Sequence, residues 1–257
     1  MIVTTVRKRA QDLEPKAIQL ANDLNFIYVK RQGHSVESLM KQEKQDIIVV
    51  GIDKIEYFPS SLQSSFFYHP NSAFVRIKQI ENNQTEPLKE VTKLQQGMSF
   101  LDCTMGLGAD SLVAQYLVGE SGKVVGLEEN KVIATLVRVG MQSWDDGRSD
   151  LLELMKRIQV IHGHHLDYLS RLPENSVDVV YFDPMFEQAI LNSKGIAGIR
   201  SLAHYETISP EAIALAKKVA KHRVVLKDHW QSSRFEQFEF NVQKRKHAAF
   251  HYGYLKS

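Results

Sequence analysis

A chain of 257 residues has room for one large domain, or for a small domain joined to a medium one. Hydrophobic residues at 43% and charged residues at 24% describe an ordinary soluble globular protein, and a formal charge of +2 leaves any nucleic-acid role to local patches. Cys103 is the only cysteine, which excludes an intrachain disulfide and a thiolate-rich zinc site and points to a reducing, cytoplasmic compartment. Residues 1–9 lack the apolar core of a signal peptide, and no window approaches the roughly 18 uninterrupted apolar residues of a membrane helix.

Residues 1–80 read as an N-terminal α+β module. Asp12–Leu24 carries helical spacing at Ile18, Ala21 and Leu24, with Pro15 placed in the first turn. Phe26–Val29 reads as a strand, and Ser35 caps a short helix running to Lys44. Strands are expected at Asp46–Gly51, Ile55–Phe58 and Ala73–Lys78. The polar run Glu81–Glu86 before Pro87 marks the join to a second domain over 81–257.

From Gly97 the pattern alternates. Strands are expected at 98–103, 123–128, 158–162, 177–182 and 222–228, with helical spacing in Leu112–Val118 and Val132–Val139. Such alternation makes an α/β fold: a mostly parallel, Rossmann-like sheet covered by helices on both faces. The aromatic tail (Phe235, Phe238, Phe240, Phe250, Tyr252, Tyr254) supplies two closing strands as an antiparallel hairpin, and reads as core rather than as an RNA platform.

Ligands of such sheets bind beyond the carboxyl ends of the strands. Asp102, Gly106 and Gly108 occupy the first such end, where a glycine turn lets backbone approach a ligand and aims helix N–H groups at it. Glu128 ends the next strand, twenty positions after Gly108, where an acidic residue takes both hydroxyls of a ribose. This spacing suits a nicotinamide dinucleotide and S-adenosylmethionine alike. Three details favour the methyl donor. Ser111 stands where G-x-G-x-x-G needs its third glycine, a pyrophosphate beside Asp102 would set like charges together, and a dehydrogenase gives no reason for a second motif, Asp183-Pro-Met-Phe186.

In that motif Pro184 biases Asp183 away from helix as the strand ends, holding its carboxylate at the cleft. An exocyclic aryl amine is a poor nucleophile because its lone pair is delocalised into the ring. Acceptors at its N–H groups favour the pyramidal, electron-rich nitrogen, which is electrostatic stabilisation of a developing charge. Phe186 is placed to stack on the base. Asp183, Pro184 and Phe186 are therefore the candidate catalytic turn of an S-adenosylmethionine-dependent amine methyltransferase that needs no metal.

The segments Asp102–Asp110, Leu127–Asn130, Ile158–His162, Val179–Phe186 and His222–Lys227 resemble the RsmJ family of 16S ribosomal RNA guanine-N2 methyltransferases, best over about 95–230. The resemblance implies a class I methyltransferase with a seven-stranded sheet, guanine N2 of small-subunit ribosomal RNA as target, and the RNA or the small ribosomal subunit as partner. It assigns donor contacts to Ala109, Asp110, Glu128, Glu129, His164, His165 and Asp183. Ala109 stands where the family usually has Arg, and Glu187 where it usually has Pro. Rival readings are methylation of another amine such as adenine N6 in RNA or DNA, a nicotinamide-dependent oxidoreductase, and a non-catalytic RNA-binding protein that has kept a donor-binding fold.

Other features read more plainly. His162, His164 and His165 follow a strand end where donor adenine should sit, so one of them is a hydrogen-bonding or stacking partner rather than a metal ligand. Cys103 reads as a small core residue. The basic clusters Arg7–Arg9, Lys30–Arg31, Lys217–Lys218, Lys221–Arg223 and Lys244–His247 each solvate a surface taken singly, and together make RNA plausible. Gln188–Ser201 suits a substrate loop after the catalytic turn.

Overall fold

The computed structural model describes residues 1–61, 65–184, 202, 208–246 and 248–257. They fall into two compact units, one holding residues 1–69 and 131–145 with Leu202, the other holding 70–130, 146–184 and 208–257.

The first unit begins with a strand that the sequence reading did not anticipate, β1 (Ile2–Thr5), all four residues buried. It is followed by α1 (Ala10–Leu24), β2 (Ile27–Tyr28), α2 (Val36–Glu43), β3 (Ile47–Val50), β4 (Ile55–Phe58) and β5 (Phe66–Phe67). The sheet order is β2-β1-β3-β4-β5, parallel across β2, β1 and β3 and antiparallel beyond. Because α1 starts at Ala10, Pro15 lies inside the helix rather than in its first turn. The stripe α1 buries is Ala17, Leu20, Ala21 and Leu24, and Ile18 is exposed. Ser35 caps α2 as expected, accepting from the Ser38 N–H at 2.9 Å. A further helix, α6 (Lys131–Ser143), belongs to this unit, where Gly140 runs against Tyr68: an added Cβ would lie 2.4 Å from the ring carbon Cγ.

The second unit opens with α3 (Asn71–Glu81), which corrects the strand expected at 73–78. Ala73 and Ile77 are buried one helical turn apart while Val75 between them is 60% exposed, a period of 3.6 rather than 2. After α4 (Pro87–Thr92) come β6 (Ser99–Asp102), α5 (Ala109–Val118), β7 (Lys123–Glu128), α7 (Ser149–Arg157), β8 (Gln159–His162), α8 (His165–Leu169) and β9 (Val177–Phe182). The unit closes with α9 (Pro210–Val219), β10 (Ala220–His229), α10 (Arg234–Gln237), β11 (Asn241–Gln243) and β12 (Phe250–Lys256). Its seven strands run in the order β11-β12-β10-β9-β6-β7-β8. All neighbouring pairs from β10 through to β8 are parallel, and β12 is antiparallel to both β10 and β11.

The reversal of strand order falls between β6 and β9. There β6 leads outward to β7 and β8 on one side, while β9 and β10 lie on the other, which opens a crevice at the carboxyl ends. The core beneath it is built from Leu101, Val125, Leu127, Val180, Phe182, Val224 and Leu226 of the central strands. The tail contributes Phe235, Phe240 and Leu255 to the same core, with Phe235 and Phe240 edge to face at 6.4 Å between ring centres. Among the described residues no helix is long and apolar enough to cross a membrane.

Candidate active site

The parallel register sets the site. Asp102 pairs with Gly126 of β7 and Tyr181 of β9, and Phe182 of β9 pairs with Leu226 of β10. The residues just beyond these pairs, Asp183 just past the end of β9 and Lys227 within β10, therefore lie side by side.

The first strand end is a tight turn. Gly106 and Gly108 have φ of 51° and 72°, a region that favours glycine, and Gly108 is the N-cap of α5. The Asp102 carboxylate is buried, accepting from Ser111 Oγ at 2.7 Å and from the Thr104 N–H at 3.2 Å. Burial pushes its carboxyl up to about 7 and the negative charge of Asp110 adds to this, against the hydrogen bond from Ser111. Met105 packs so closely beneath β7 that a Cβ on Gly126 would lie 2.3 Å from its Sδ.

At the second strand end, Glu128 accepts from the Gly106 N–H at 3.0 Å and from the Asn130 N–H at 2.8 Å, while its carbonyl takes the Gly163 N–H at 3.0 Å. Turn, β7 and the loop after β8 are thus tied together through one residue. Glu129 beside it is exposed. His162 ends β8, and His164 caps α8 by accepting from the Leu166 N–H at Nδ1, 3.2 Å away. His164 stacks on His165 at 4.4 Å, and the buried His165 meets Phe182 edge-on. Cys103 is buried among the core residues, its thiol pushed up by burial.

At the third end the Asp183 N–H donates to Thr104 Oγ1 at 2.6 Å, and Pro184 is buried. Lys227 Nζ lies 2.5 Å from Asp183 Oδ2 and 3.2 Å from Asp110 Oδ2. Asp110 also accepts from Arg76 Nη1 at 2.5 Å and from Tyr181 OH at 2.9 Å. Burial raises Asp183 to about 6 despite Lys227. Asp110 is desolvated too, but Lys227 and Arg76 hold it well below the usual carboxylate range. Phe186, Glu187 and the segment 188–201 lie outside the described residues.

The structure therefore brings Asp102, Gly106, Gly108, Ala109, Asp110, Glu128, Glu129 and Asp183 to the ends of β6, β7 and β9, with His164 and His165 after β8. Sequence reasoning missed Arg76, Thr104, Tyr181 and Lys227 as members of the site. The signal available was Lys227 itself, a charged residue that directly follows the apolar run Val224–Leu226 inside a strand. Several basic residues have structural partners. Arg223 donates to the Val91 carbonyl and lies over Tyr254, Lys221 pairs with Asp178, and Arg31 donates to the Thr5 carbonyl.

The residues present fit S-adenosylmethionine. A Cβ built on Gly106 or Gly163 meets nothing within 4 Å, so backbone at two neighbouring strand ends faces open space, with a fixed carboxylate, Glu128, hydrogen-bonded to the first glycine and joined through its carbonyl to the second. A sheet of this order with a glycine turn and an acidic second strand end is that of a class I methyltransferase. Known proteins agree. The family model described as "Putative SAM-dependent methyltransferase" matches residues 58–250. YpiP, an uncharacterised protein of Bacillus subtilis (strain 168), is 44% identical over 256 residues, spanning all of this chain and 99% of that one. Proteins named ribosomal RNA small subunit methyltransferase J, from Buchnera aphidicola subsp. Schizaphis graminum and from Coxiella burnetii, are 33% and 36% identical over 132 and 134 residues. Those matches take in half of this chain and 51% and 49% of the relatives. The crystal structure of a SAM-dependent methyltransferase from Neisseria gonorrhoeae superposes with a TM-score of 0.63 over 100% of this chain and 96% of that one, a likeness of fold at 14% identity. The chain belongs to the SAM-dependent methyltransferase family, as an RsmJ-like member, and its cofactor is S-adenosylmethionine.

Proposed function

We propose that this methyltransferase modifies guanine N2 of small-subunit ribosomal RNA, with Asp183 as the acceptor that activates the amine. The observation that carries the reading is the construction of Asp183. It follows a buried strand, its N–H is anchored on Thr104 Oγ1, its carboxyl is set to about 6, and Pro184 comes next. A carboxyl in that range is mostly ionised at neutral pH and accepts hydrogen bonds from an N–H donor. Held against an exocyclic amine, it opposes delocalisation of the lone pair, stabilises the positive charge that develops as the nitrogen gains a fourth bond, and accepts the proton that nitrogen then releases. Asp183 rather than Asn suits an amine whose neighbouring ring nitrogen also carries a proton, as in guanine. The bound donor supplies a methyl group on a sulfonium that leaves without help from a metal. Asp102, Gly106, Gly108, Ala109, Asp110, Glu128, Glu129, His164 and His165 line or support the donor side. Phe186 is assigned the role of stacking on the base, and the substrate class is taken from the relatives named ribosomal RNA small subunit methyltransferase J, matched over half of this chain.

The test is transfer of labelled methyl groups from S-adenosylmethionine to in-vitro-transcribed 16S ribosomal RNA and to small subunits, followed by nucleoside analysis. N2-methylguanosine as the product, lost in Asp183→Ala, supports the assignment. Methyladenosine, or label carried only into DNA or protein, rejects it.

A further inference from the structure

We propose that Lys227 is a positioning residue for methyl transfer, whose ammonium, shared between Asp110 and Asp183, keeps the Asp183 carboxylate ionised and fixed in one orientation. The inference rests on the reading of Asp183 as the amine's acceptor. It starts from register: because Phe182 pairs with Leu226, Asp183, just past the end of β9, lies beside Lys227 of the parallel strand β10. The Lys227 side chain is only 17% exposed, so a long flexible cation is held out of water at a defined point.

The two carboxylates depend on that cation unequally. Asp110 has Arg76 and the Tyr181 hydroxyl besides Lys227, whereas Lys227 is the cation in contact with Asp183 among the described residues. Among the described residues, the other groups facing Asp183 work against its charge or are neutral. Asp110 from α5 and Asp102 from β6 are acidic, and Tyr181 of β9 and Tyr252 of β12 are phenols that burial keeps protonated. Arg76 of α3 acts one step away, through Asp110. Burial itself favours the neutral acid. Without Lys227, burial and the neighbouring carboxylates would push Asp183 toward the protonated form, which meets an amine as a donor rather than as an acceptor. Lys227 is protonated throughout the working range: burial opposes its charge, but Asp110 and Asp183 outweigh burial and raise it above the ordinary lysine value.

The experiment is a carboxyl titration by NMR on protein labelled with carbon-13 at aspartate, the Asp183 signal being assigned by its loss in Asp183→Asn. In parallel, single-turnover methylation of 16S ribosomal RNA is followed against pH. In Lys227→Met the Asp183 midpoint should rise by about one pH unit or more, and Lys227→Arg should keep it near the wild-type value. Asp110→Asn should move it the opposite way, downward, because a repelling charge is removed and Lys227 is left to Asp183. Where Lys227→Met fails to fold, Lys227→Gln, which keeps a polar side chain without the charge, should show the same rise. The acid limb of the methylation rate should follow each midpoint. Midpoints unmoved by Lys227→Met and Asp110→Asn, or moved as far by Lys227→Arg as by Lys227→Met, would overturn the role of Lys227. Full activity in Asp183→Asn would instead overturn the reading of Asp183 on which it rests.

Discussion

Glu128 holds the glycine turn through its side chain: its Oε2 accepts the Gly106 N–H at 3.0 Å while its Oε1 accepts the Asn130 N–H at 2.8 Å. Both carboxylate oxygens are thereby aimed before any ligand arrives, which lowers the ordering cost of binding. Each oxygen has further lone pairs for a pair of ribose hydroxyls. Glu128→Ala is expected to weaken S-adenosylmethionine by about 10–100-fold, the loss of hydrogen bonds to a charged group at about 1.5–3 kcal/mol. Isothermal titration calorimetry measures this directly. Affinity unchanged in the variant would remove Glu128 from the donor site.

Gly163 and Gly106 separate the two reasons a glycine can be required. Neither Cβ would meet an atom within 4 Å, but only Gly106 has a left-handed φ, 51°. Gly163→Ala should therefore leave the urea midpoint unchanged and weaken donor binding if the new methyl enters the donor's space. Gly106→Ala should do both, with a stability loss of about 1–2 kcal/mol from backbone strain. Tight donor binding by Gly163→Ala would mean that the loop after β8 lies outside the site.

Much of this architecture was legible because buried parallel strands are written as continuous apolar runs that end in a charge. β7 and β9 lie at the bounds read from the sequence, 123–128 and 177–182, and the closing hairpin follows from its aromatics. Two elements were not legible for local reasons. In α3, Val75 and Ile77 carry strand propensity, and only the burial of Ala73 and Ile77 on one side decides for helix. In β1, the last two of four residues are threonines, so the apolar run of a fully buried strand breaks off after Ile2 and Val3. The ion network was illegible for a different reason. Arg76 and Asp110 are 34 positions apart, Lys227 and Asp183 are 44 apart, and their meeting depends on which strands become neighbours. The glycines of the cofactor turn sit within one motif, while Arg76, Asp110, Tyr181 and Lys227 of the ion network come from four elements.

Arg76 makes that network part of the fold as well. Its Nη2 and Nε donate to Glu86 Oε1 at 2.6 and 2.9 Å, and its Nη1 reaches Asp110. The Glu86 side chain is 1% exposed and also caps α4 through the Lys89 N–H. Removing the guanidinium strands the buried Glu86 carboxylate, while Asp110 keeps Lys227 and Tyr181, and the broken buried pair costs about 3–5 kcal/mol. Urea denaturation should show that loss in Arg76→Met and a partial recovery in Arg76→Met combined with Glu86→Gln. Additive losses in the double variant would mean the two residues do not act as a pair.

Asp102 gives the stability of this protein an unusual pH dependence. Its folded carboxyl lies at about 7, above the value of about 3.9 for an unfolded aspartate. Between those two pH values the folded state holds more protons than the unfolded state, so this group makes stability fall as pH rises through the window. Above about 7 the buried charge is fully formed and its penalty complete. Asp183, raised to about 6, adds in the same direction, whereas Asp110, held low, contributes stability that disappears only under strong acid. Asp102→Asn keeps an oxygen to accept from Ser111 but cannot ionise. Its urea midpoint should therefore change less between pH 5 and pH 8 than that of the wild type, with the residual slope belonging to Asp183. Parallel curves for the two proteins would show that the charge on Asp102 is compensated within the fold.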